Sequence, residues 1–121
     1  MELSKNEIVK SLNGEIVALL IKQLNKDFSS CGVLEIEENL ISAPSLVESV
    51  IKIIGELNSN QPQRLKSLVY RVDIPESVVR KIYQTTLIEQ FHEALGLAII
   101  KRELQKINSR LNLANHVDSK T

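Results

Sequence analysis

Apolar residues recur along most of the chain at intervals of three and four residues, which is the period of an amphipathic α-helix. The pattern is clearest between Ser45 and Leu57, where one side of the predicted helix is aliphatic and the other is charged or polar. Ser45 and Glu48 have the spacing of a capping box, so this helix is predicted to begin at Ser45. We expect its aliphatic side to be buried in the core of a helical bundle.

The N-terminal part of the chain predicts a long first helix that begins at Ser4. Ser4 and Glu7 form another capping box, and apolar residues then recur every four residues. Glycine costs about 1 kcal/mol inside a helix, so Gly14 is a weak point, but the apolar pattern continues through it. We therefore predict one helix that ends near residue 30, followed by an irregular connection over residues 33–44.

A pair of short helices is predicted over residues 62–84. Pro62 is a favoured first helical residue, and Asp73 with Glu76 three positions later predicts an N-terminal cap for the second helix of the pair. The predicted inner face of that second helix consists of Val78, Val79, Ile82 and Tyr83. The pair therefore has the outline of a helix-turn-helix.

The last predicted helix is long, beginning at Thr86 and running to about Leu113, with a polar tail from about residue 114. Glu89, three residues after Thr86, supports this start. No linker, repeat or hairpin pattern interrupts the series of helices. Residues 1–121 are thus predicted to form a single all-α domain, a bundle of about five helices with long first and last members.

The composition excludes some classes of function. The formal net charge is zero, with 15 basic and 15 acidic residues, and aromatic residues make up only 3% of the chain. This balance does not favour a surface built to attract nucleic acid or an anionic membrane. No apolar segment approaches the ~20 residues of a membrane span, no signal sequence is apparent, and Cys31 is the only cysteine. We expect a cytoplasmic protein without a membrane segment.

Candidate catalytic or metal-binding residues are few. Glu89 and His92 have the Glu-x-x-His spacing of di-iron helical bundles. Such a site needs a second copy of the motif, and the other histidine, His116, lies in the polar tail without that spacing. No glycine-rich phosphate loop or nucleophile motif is present. We therefore predict a protein that is not an enzyme and that has no cofactor and no metal.

The short helix pair raises the question of DNA binding. Aligned with a helix-turn-helix, its second helix at residues 75–84 offers Ser77, Arg80, Lys81 and Gln84 to a groove of DNA. The pair as a whole carries five basic and two acidic residues. However, a valine replaces the small residue where the two helices would cross, an aspartate replaces the turn glycine, and no basic arm flanks the pair. A DNA-binding regulator is therefore the alternative to two structural helices with a solvated basic face.

The last helix carries two separate apolar stripes, which lie roughly 140° apart around its axis. The first comprises Ile88, Phe91, Leu95, Ala98 and Ile99, and the second comprises Leu97, Ile100, Leu104, Ile107 and Leu111. In one interpretation, other helices of the same chain, the first helix above all, cover both stripes. In the other, the second stripe contacts another chain, most simply in a symmetric homodimer.

Two sequences, LVYRVDIPESVVRKI at residues 68–82 and LAIIKRELQKIN at residues 97–108, resemble a group of short bacterial proteins of unknown function. Those proteins carry an LYRVD-like corner followed by an apolar run that ends in RELQK. The resemblance implies an all-helical cytoplasmic domain and no catalytic or binding residues, and it makes DNA binding less favoured because the corner occurs there without a basic arm. We predict a small protein–protein interaction or scaffold module that binds a protein partner or itself.

Overall fold

The computed structural model describes residues 4–38 and 42–119, and for residues 88, 89 and 112–119 it describes the backbone alone. Across these ranges the chain forms six α-helices and no β-strand. The helices are α1 (Lys5–Ser11), α2 (Gly14–Ser30), α3 (Ala43–Asn60), α4 (Pro62–Val72), α5 (Glu76–Thr85) and α6 (Ile88–Ser119). The predicted all-helical fold is confirmed, with six helices in the described ranges instead of five.

The predicted long first helix is divided into α1 and α2. Leu12 leaves the helical conformation, with φ −95° and ψ 105°. Asn13 then caps α2, because its side-chain oxygen accepts a hydrogen bond from the Ile16 N–H at 2.9 Å. Asparagine is among the strongest N-cap residues, so Asn13 with Gly14 starts a new helix instead of weakening an existing one. The prediction of one long first helix is wrong for this reason.

The predicted start of α3 at Ser45 is also wrong, by a small margin. Ser42 is the N-cap, and its Oγ accepts a hydrogen bond from the Ser45 N–H at 3.3 Å. Pro44 lies in the first turn, where a backbone N–H has no partner within the helix and its loss is harmless. The first turn of α3 therefore includes residues that the sequence pattern assigned to the preceding connection.

The connection between α2 and α3 is irregular over residues 33–38, as predicted, and its residues 39–41 lie outside the described ranges. Asn25 of α2 holds this connection by two hydrogen bonds to one residue. Its Nδ2 donates to the Ile36 carbonyl at 2.9 Å, and its Oδ1 accepts from the Ile36 N–H at 2.7 Å. Both backbone groups are thereby satisfied, and the side chain of Ile36 is buried in the core.

The turn between α4 and α5 begins at Asp73, which ends α4 in the left-handed conformation with φ 69° and ψ 50°. Its N–H lies within hydrogen-bond distance of the carbonyls of Val69 (3.2 Å) and Tyr70 (3.1 Å). The predicted role of Asp73 as the N-cap of the next helix is therefore wrong, because a left-handed residue closes the C-terminus of a helix. α5 begins at Glu76, after Pro75, without a side-chain cap.

Thr86 ends α5 and does not start the last helix as predicted. Its N–H and its Oγ1 both donate to the carbonyl of Ile82, at 3.1 and 2.6 Å. α6 begins at Ile88 instead, and its backbone stays helical to Ser119. The helix therefore continues beyond the predicted end near Leu113 and through most of the predicted polar tail.

α6 is the central element of the bundle, because each of the five other helices packs against it. Gly96 lets α3 approach closely, since a Cβ there would lie 3.1 Å from Ile51 Cγ1. Ile99 and Ile100, one from each predicted stripe, are both fully buried. The chain's own helices therefore cover much of both stripes. None of the helices in the described ranges combines the length and the apolar character that a membrane crossing requires.

Candidate functional site

α5 is attached to the bundle through α6 alone among the described helices. Its Ile82 is buried, and Val78 and Val79 are half-buried against the core. Tyr83, which was predicted to face inward, is 63% exposed, and its ring rests against Phe91 with the ring centroids 4.6 Å apart. With so few buried side chains, α5 covers α6 incompletely and leaves a groove beside it.

This groove has a volume of about 400 Å³ and lies between α5 and α6. Its apolar lining consists of Ile8 of α1, Ile74 of the preceding turn, Val78 and Ile82 of α5, and Ala94, Leu97 and Ala98 of α6. The lining residues of α6 extend from Gln90 to Gln105. At 1.5 Å per residue this span measures roughly 22 Å, so the groove is long enough to follow about four turns of helix.

Charged side chains line the rim of the groove. They are Lys81, Glu93, Lys101 and Arg102. Glu93 Oε1 is 3.9 Å from Lys5 Nζ, and Arg102 bonds to Asp73 in the turn before α5. Among the described side chains, neither Lys81 nor Lys101 lies within ion-pair distance of a carboxylate. The rim is therefore locally positive on a chain whose formal net charge is zero.

The residues of the predicted interaction stripe on α6 do not share one surface. Ile100 and Ile107 are 0% and 5% exposed and belong to the chain's own core. Leu97 and Leu104 are half-buried, and Leu111 is 42% exposed. Of the five, the groove includes Leu97 alone. The physical reason is that the side of α6 between the two stripes faces the core, so that each stripe is only partly exposed.

The residues predicted to contact DNA, Ser77, Arg80, Lys81 and Gln84, are all exposed on α5. Arg80 Nη2 is 3.7 Å from Glu76 Oε1 on the same helix, and Lys81 belongs to the groove. α4 and α5 do not pack against each other, so the crossing of two helices that defines a helix-turn-helix is not formed here. DNA binding stays a prediction.

His92 of the Glu-x-x-His pair packs against α3. Its Nε2 is 3.3 Å from Asn58 Nδ2, and a Cβ at Gly55 would lie 3.2 Å from its Nδ1. The side chains of Glu89 and His116 lie outside the described residues. Within the described part of the chain, no three potential metal-ligating side chains come together. The geometry of His92 is that of a packing residue that fills the space beside Gly55.

A buried cluster of charged groups, which the helical pattern did not reveal, lies where α2, α4 and α6 meet. Its centre is a pair of carboxyl groups, Asp27 of α2 with 4% of its side chain exposed and Glu103 of α6 with none. Lys106 Nζ lies 3.1 Å from Glu103 Oε1 and 3.6 Å from Asp27 Oδ2. Arg71 Nε lies 3.4 Å from Asp27 Oδ1, and Gln23 Nε2 donates to Asp27 Oδ2 at 3.4 Å.

The two carboxyl groups have pKa values that are displaced in opposite directions. Burial raises the pKa of Glu103, and the hydrogen bond to Asp27 and the charge of Asp27 raise it further, to about 8, against a weaker effect of Lys106. Burial also raises the pKa of Asp27, but hydrogen bonds from Glu103, Gln23 and Arg71 and the charge of Lys106 together lower it below its usual value. The pair therefore holds one proton near neutral pH.

The sequence does contain a signal for this cluster. Glu103 is four residues after Ile99 and four before Ile107, so it lies on the buried side of α6. Asp27 is three residues after Leu24 and seven after Leu20, which are both buried, so it lies on the buried side of α2. Acidic residues are almost never fully buried without a partner, so each of these two positions predicts a partner for its carboxyl group. The spacing cannot say which partner, because the two residues belong to helices that are distant in sequence.

Cys31, the C-cap of α2, is a half-buried free thiol near this cluster. Burial raises the pKa of the thiol, and the negative charge of Asp27 raises it further, with an opposing effect of Arg71. A raised pKa reduces the fraction of reactive thiolate at neutral pH.

No protein-family model matches the chain, and no curated protein and no solved structure matches it either. The resemblance to short bacterial helical proteins stays a prediction. The groove between α5 and α6 and the buried carboxyl pair are therefore the two features from which a function can be argued.

Proposed function

We propose that this chain is a protein-interaction module whose groove between α5 and α6 binds an acidic amphipathic helix of a partner protein. The observation that carries the proposal is a long apolar groove with two lysines on its rim, Lys81 and Lys101. A helix that lays its apolar face into a groove is a recurrent form of peptide recognition.

The dimensions of the groove suit a helix better than a small molecule. Its lining along α6, from Gln90 to Gln105, follows roughly 22 Å of helix. Ala94 and Ala98 are one turn apart and present only methyl groups, so the backbone of an incoming helix can approach α6 closely. Leu97 lies between them as an apolar contact. A partner helix with apolar residues at positions i, i+3, i+4 and i+7 would place its stripe along this floor.

The charges on the rim specify the chemistry of the partner. Lys81 is on α5 and Lys101 is on α6, the two helices that form the walls of the groove. Acidic residues on both flanks of a partner's apolar stripe would therefore each meet a lysine. Ion pairs at the rim of an interface guide the encounter and fix orientation more than they raise affinity. The apolar floor would supply most of the binding free energy.

A second copy of this chain is less suited to the groove. In a symmetric dimer that pairs groove with groove, the positive rim of one protomer would face the same positive rim of its partner. Lys81 and Lys101 would then lie near like charges, which disfavours association. The proposal therefore commits to a different protein, and self-association is an outcome of the test.

A display library of helical peptides tests the proposal. The peptides are about 15 residues long, which matches the groove at 1.5 Å per residue, and carry leucines at helical spacing with random residues on the flanks. Selection on the purified chain is expected to enrich aspartate and glutamate in the flanks. Fluorescence polarisation then measures the Kd of an enriched peptide, and Leu97→Glu is expected to weaken binding at least about tenfold.

The matched control is Leu34→Glu, because Leu34 is 87% exposed and lies outside the groove. It introduces the same charge and is expected to leave the Kd unchanged. Enrichment of basic or neutral flanks would contradict the proposal, and so would an unchanged Kd for Leu97→Glu. A dimer in light scattering that Leu97→Glu converts to a monomer would assign the groove to a second copy instead. Sequence-selective, salt-dependent binding of duplex DNA would favour the alternative function, a DNA-binding regulator.

A further inference from the structure

α2 and α6 meet at a carboxyl pair that lacks the hydrogen-bond donors two carboxylates would need. Glu103 is fully buried, and among the described residues the one cationic group beside it is Lys106, whose Nζ lies 3.1 Å from Oε1 without ideal hydrogen-bond geometry and is shared with Asp27. A buried acceptor without a donor costs about 1–3 kcal/mol, and more when it is charged. Protonation removes the negative charge from Glu103 and turns one of its oxygens into an O–H donor that can bond to Asp27, so most of that cost is relieved.

We propose that Asp27 and Glu103 form a proton-binding site that couples the packing of α2 against α6 to pH. With the proton bound, Glu103 is neutral and donates to the Asp27 carboxylate, whose charge Lys106 and Arg71 balance. Without the proton, two negative charges share one buried site. The contact between α2 and α6 is then weakened, because only part of that repulsion is offset by the neighbouring cations.

The cations around the pair come from α4 and α6. Arg71 of α4 contacts Asp27 and has 49% of its side chain exposed, so solvent screens its charge. Arg110 of α6 acts indirectly, because its Nη2 donates to Gln23, which in turn donates to Asp27. Among the described residues, no charged side chain of α1, α3 or α5 joins the cluster. Within that part of the chain Lys106 alone contacts both carboxyl groups, and its single positive charge cannot neutralise two buried carboxylates.

The sign of the pH effect follows from the pKa shifts. The pKa of Glu103 is raised from 4.5 to about 8 in the folded chain, so the folded chain binds this proton more tightly than the unfolded chain does. The free energy of unfolding therefore falls as the pH rises through the range between those two values. The lowered pKa of Asp27 has the opposite effect, and it acts at acidic pH. There the stabilisation that the Asp27 carboxylate contributes is lost as the pH falls through its folded-state pKa.

Thermal unfolding of the full chain and of Glu103→Gln, from about pH 5 to about pH 9, tests this proposal. Glutamine keeps the shape and the donor of the protonated side chain but cannot ionise. The Tm of the variant is expected to exceed that of the wild type by at least about 5 °C at the alkaline end, and the difference is expected to vanish at the acidic end. Glu56→Gln, which removes an exposed carboxylate on α3, serves as the control and should give a profile parallel to the wild type.

A second measurement on the wild type does not depend on the stability of any variant. Infrared difference spectroscopy detects the C=O stretch of a protonated carboxyl group, which is expected to be present at pH 7 and to disappear with a midpoint near 8. Where Glu103→Gln folds, its spectrum should lack that band. Absence of the band from the wild type at neutral pH would overturn the proposal, as would parallel melting profiles of the wild type and Glu103→Gln.

Discussion

Arg102 of α6 bonds to Asp73 at the turn between α4 and α5. Its Nε donates to the Asp73 carbonyl at 3.0 Å, and its Nη2 donates to Asp73 Oδ2 at 3.3 Å. Because α5 packs on no described helix except α6, these bonds fix the N-terminal end of the groove wall. The shape of the groove therefore depends in part on a contact that lies outside the hydrophobic core.

Arg102→Ala is expected to loosen α5 more than it destabilises the fold. The pair is partly solvated, with 29% of the Arg102 side chain and 80% of the Asp73 side chain exposed, so the free energy of unfolding should fall by only about 1 kcal/mol. Hydrogen exchange measured by mass spectrometry should show faster exchange across α5. Arg80→Ala is the control, because Arg80 pairs within α5 and does not reach α6. Unchanged exchange in α5 of the Arg102 variant would contradict the role of this bond.

The left-handed conformation of Asp73 makes a separate prediction. Asp73 is the one non-glycine residue in the described ranges with a positive φ. A β-branched residue tolerates this conformation poorly, so Asp73→Val should lower the free energy of unfolding by about 1–2 kcal/mol. Asp73→Gly loses the carboxylate, but glycine adopts the left-handed conformation without strain. Its free energy of unfolding should therefore stay within about 0.5 kcal/mol of the wild-type value. Urea denaturation measures both, and a valine variant as stable as the glycine variant would show that the turn is not constrained.

The sequence predicts the fold well where the spacing of aliphatic residues alone determines the structure. It predicts the fold less well where a single polar side chain determines where a helix begins or ends. The all-helical fold follows from apolar residues at helical spacing, and Pro62 correctly marks the start of α4. Asn13 and Ser42 move helix boundaries because each accepts a hydrogen bond from a backbone N–H three residues later. Whether such a side chain caps a helix or points to solvent depends on the backbone around it, which periodicity does not determine.

The candidate site could be predicted only in part, because it depends on the distance between helices. Leu97 and Lys81 were each predicted to lie on an interaction surface, but for different partners, and the structure places both in one groove. Nothing in the sequence states that α5 covers α6 incompletely. The pairing of Asp27 with Glu103 cannot be predicted for a similar reason, since the two residues meet only after α2 has packed on α6.

Two glycines provide a matched test of close packing. A Cβ at Gly14 would meet nothing within 4 Å, so Gly14→Ala should raise the free energy of unfolding by about 0.5–1 kcal/mol through a lower entropy of the unfolded chain. A Cβ at Gly96 would lie 3.1 Å from Ile51 Cγ1 and 3.4 Å from its Cα. Because the side chain of Ile51 must then shift by a few tenths of an ångström in a closely packed contact, Gly96→Ala should be destabilising by about 1–3 kcal/mol. Urea denaturation of both variants checks the contrast, and equal effects would show that α3 and α6 are not in close contact at this point.

The second apolar stripe of α6 makes the last prediction, because its members differ in burial. Ile100 is fully buried, so Ile100→Ala should lower the free energy of unfolding by about 2–5 kcal/mol through lost packing and the cavity left behind. Leu111 is 42% exposed, so Leu111→Ala should change the free energy of unfolding by no more than about 0.5 kcal/mol. Denaturation at two protein concentrations distinguishes a residue of the chain's own core from a residue at an interface between two chains. If the stripe were an interface between copies of the chain, the effect of Ile100→Ala would depend on concentration, whereas a core residue gives the same loss at both.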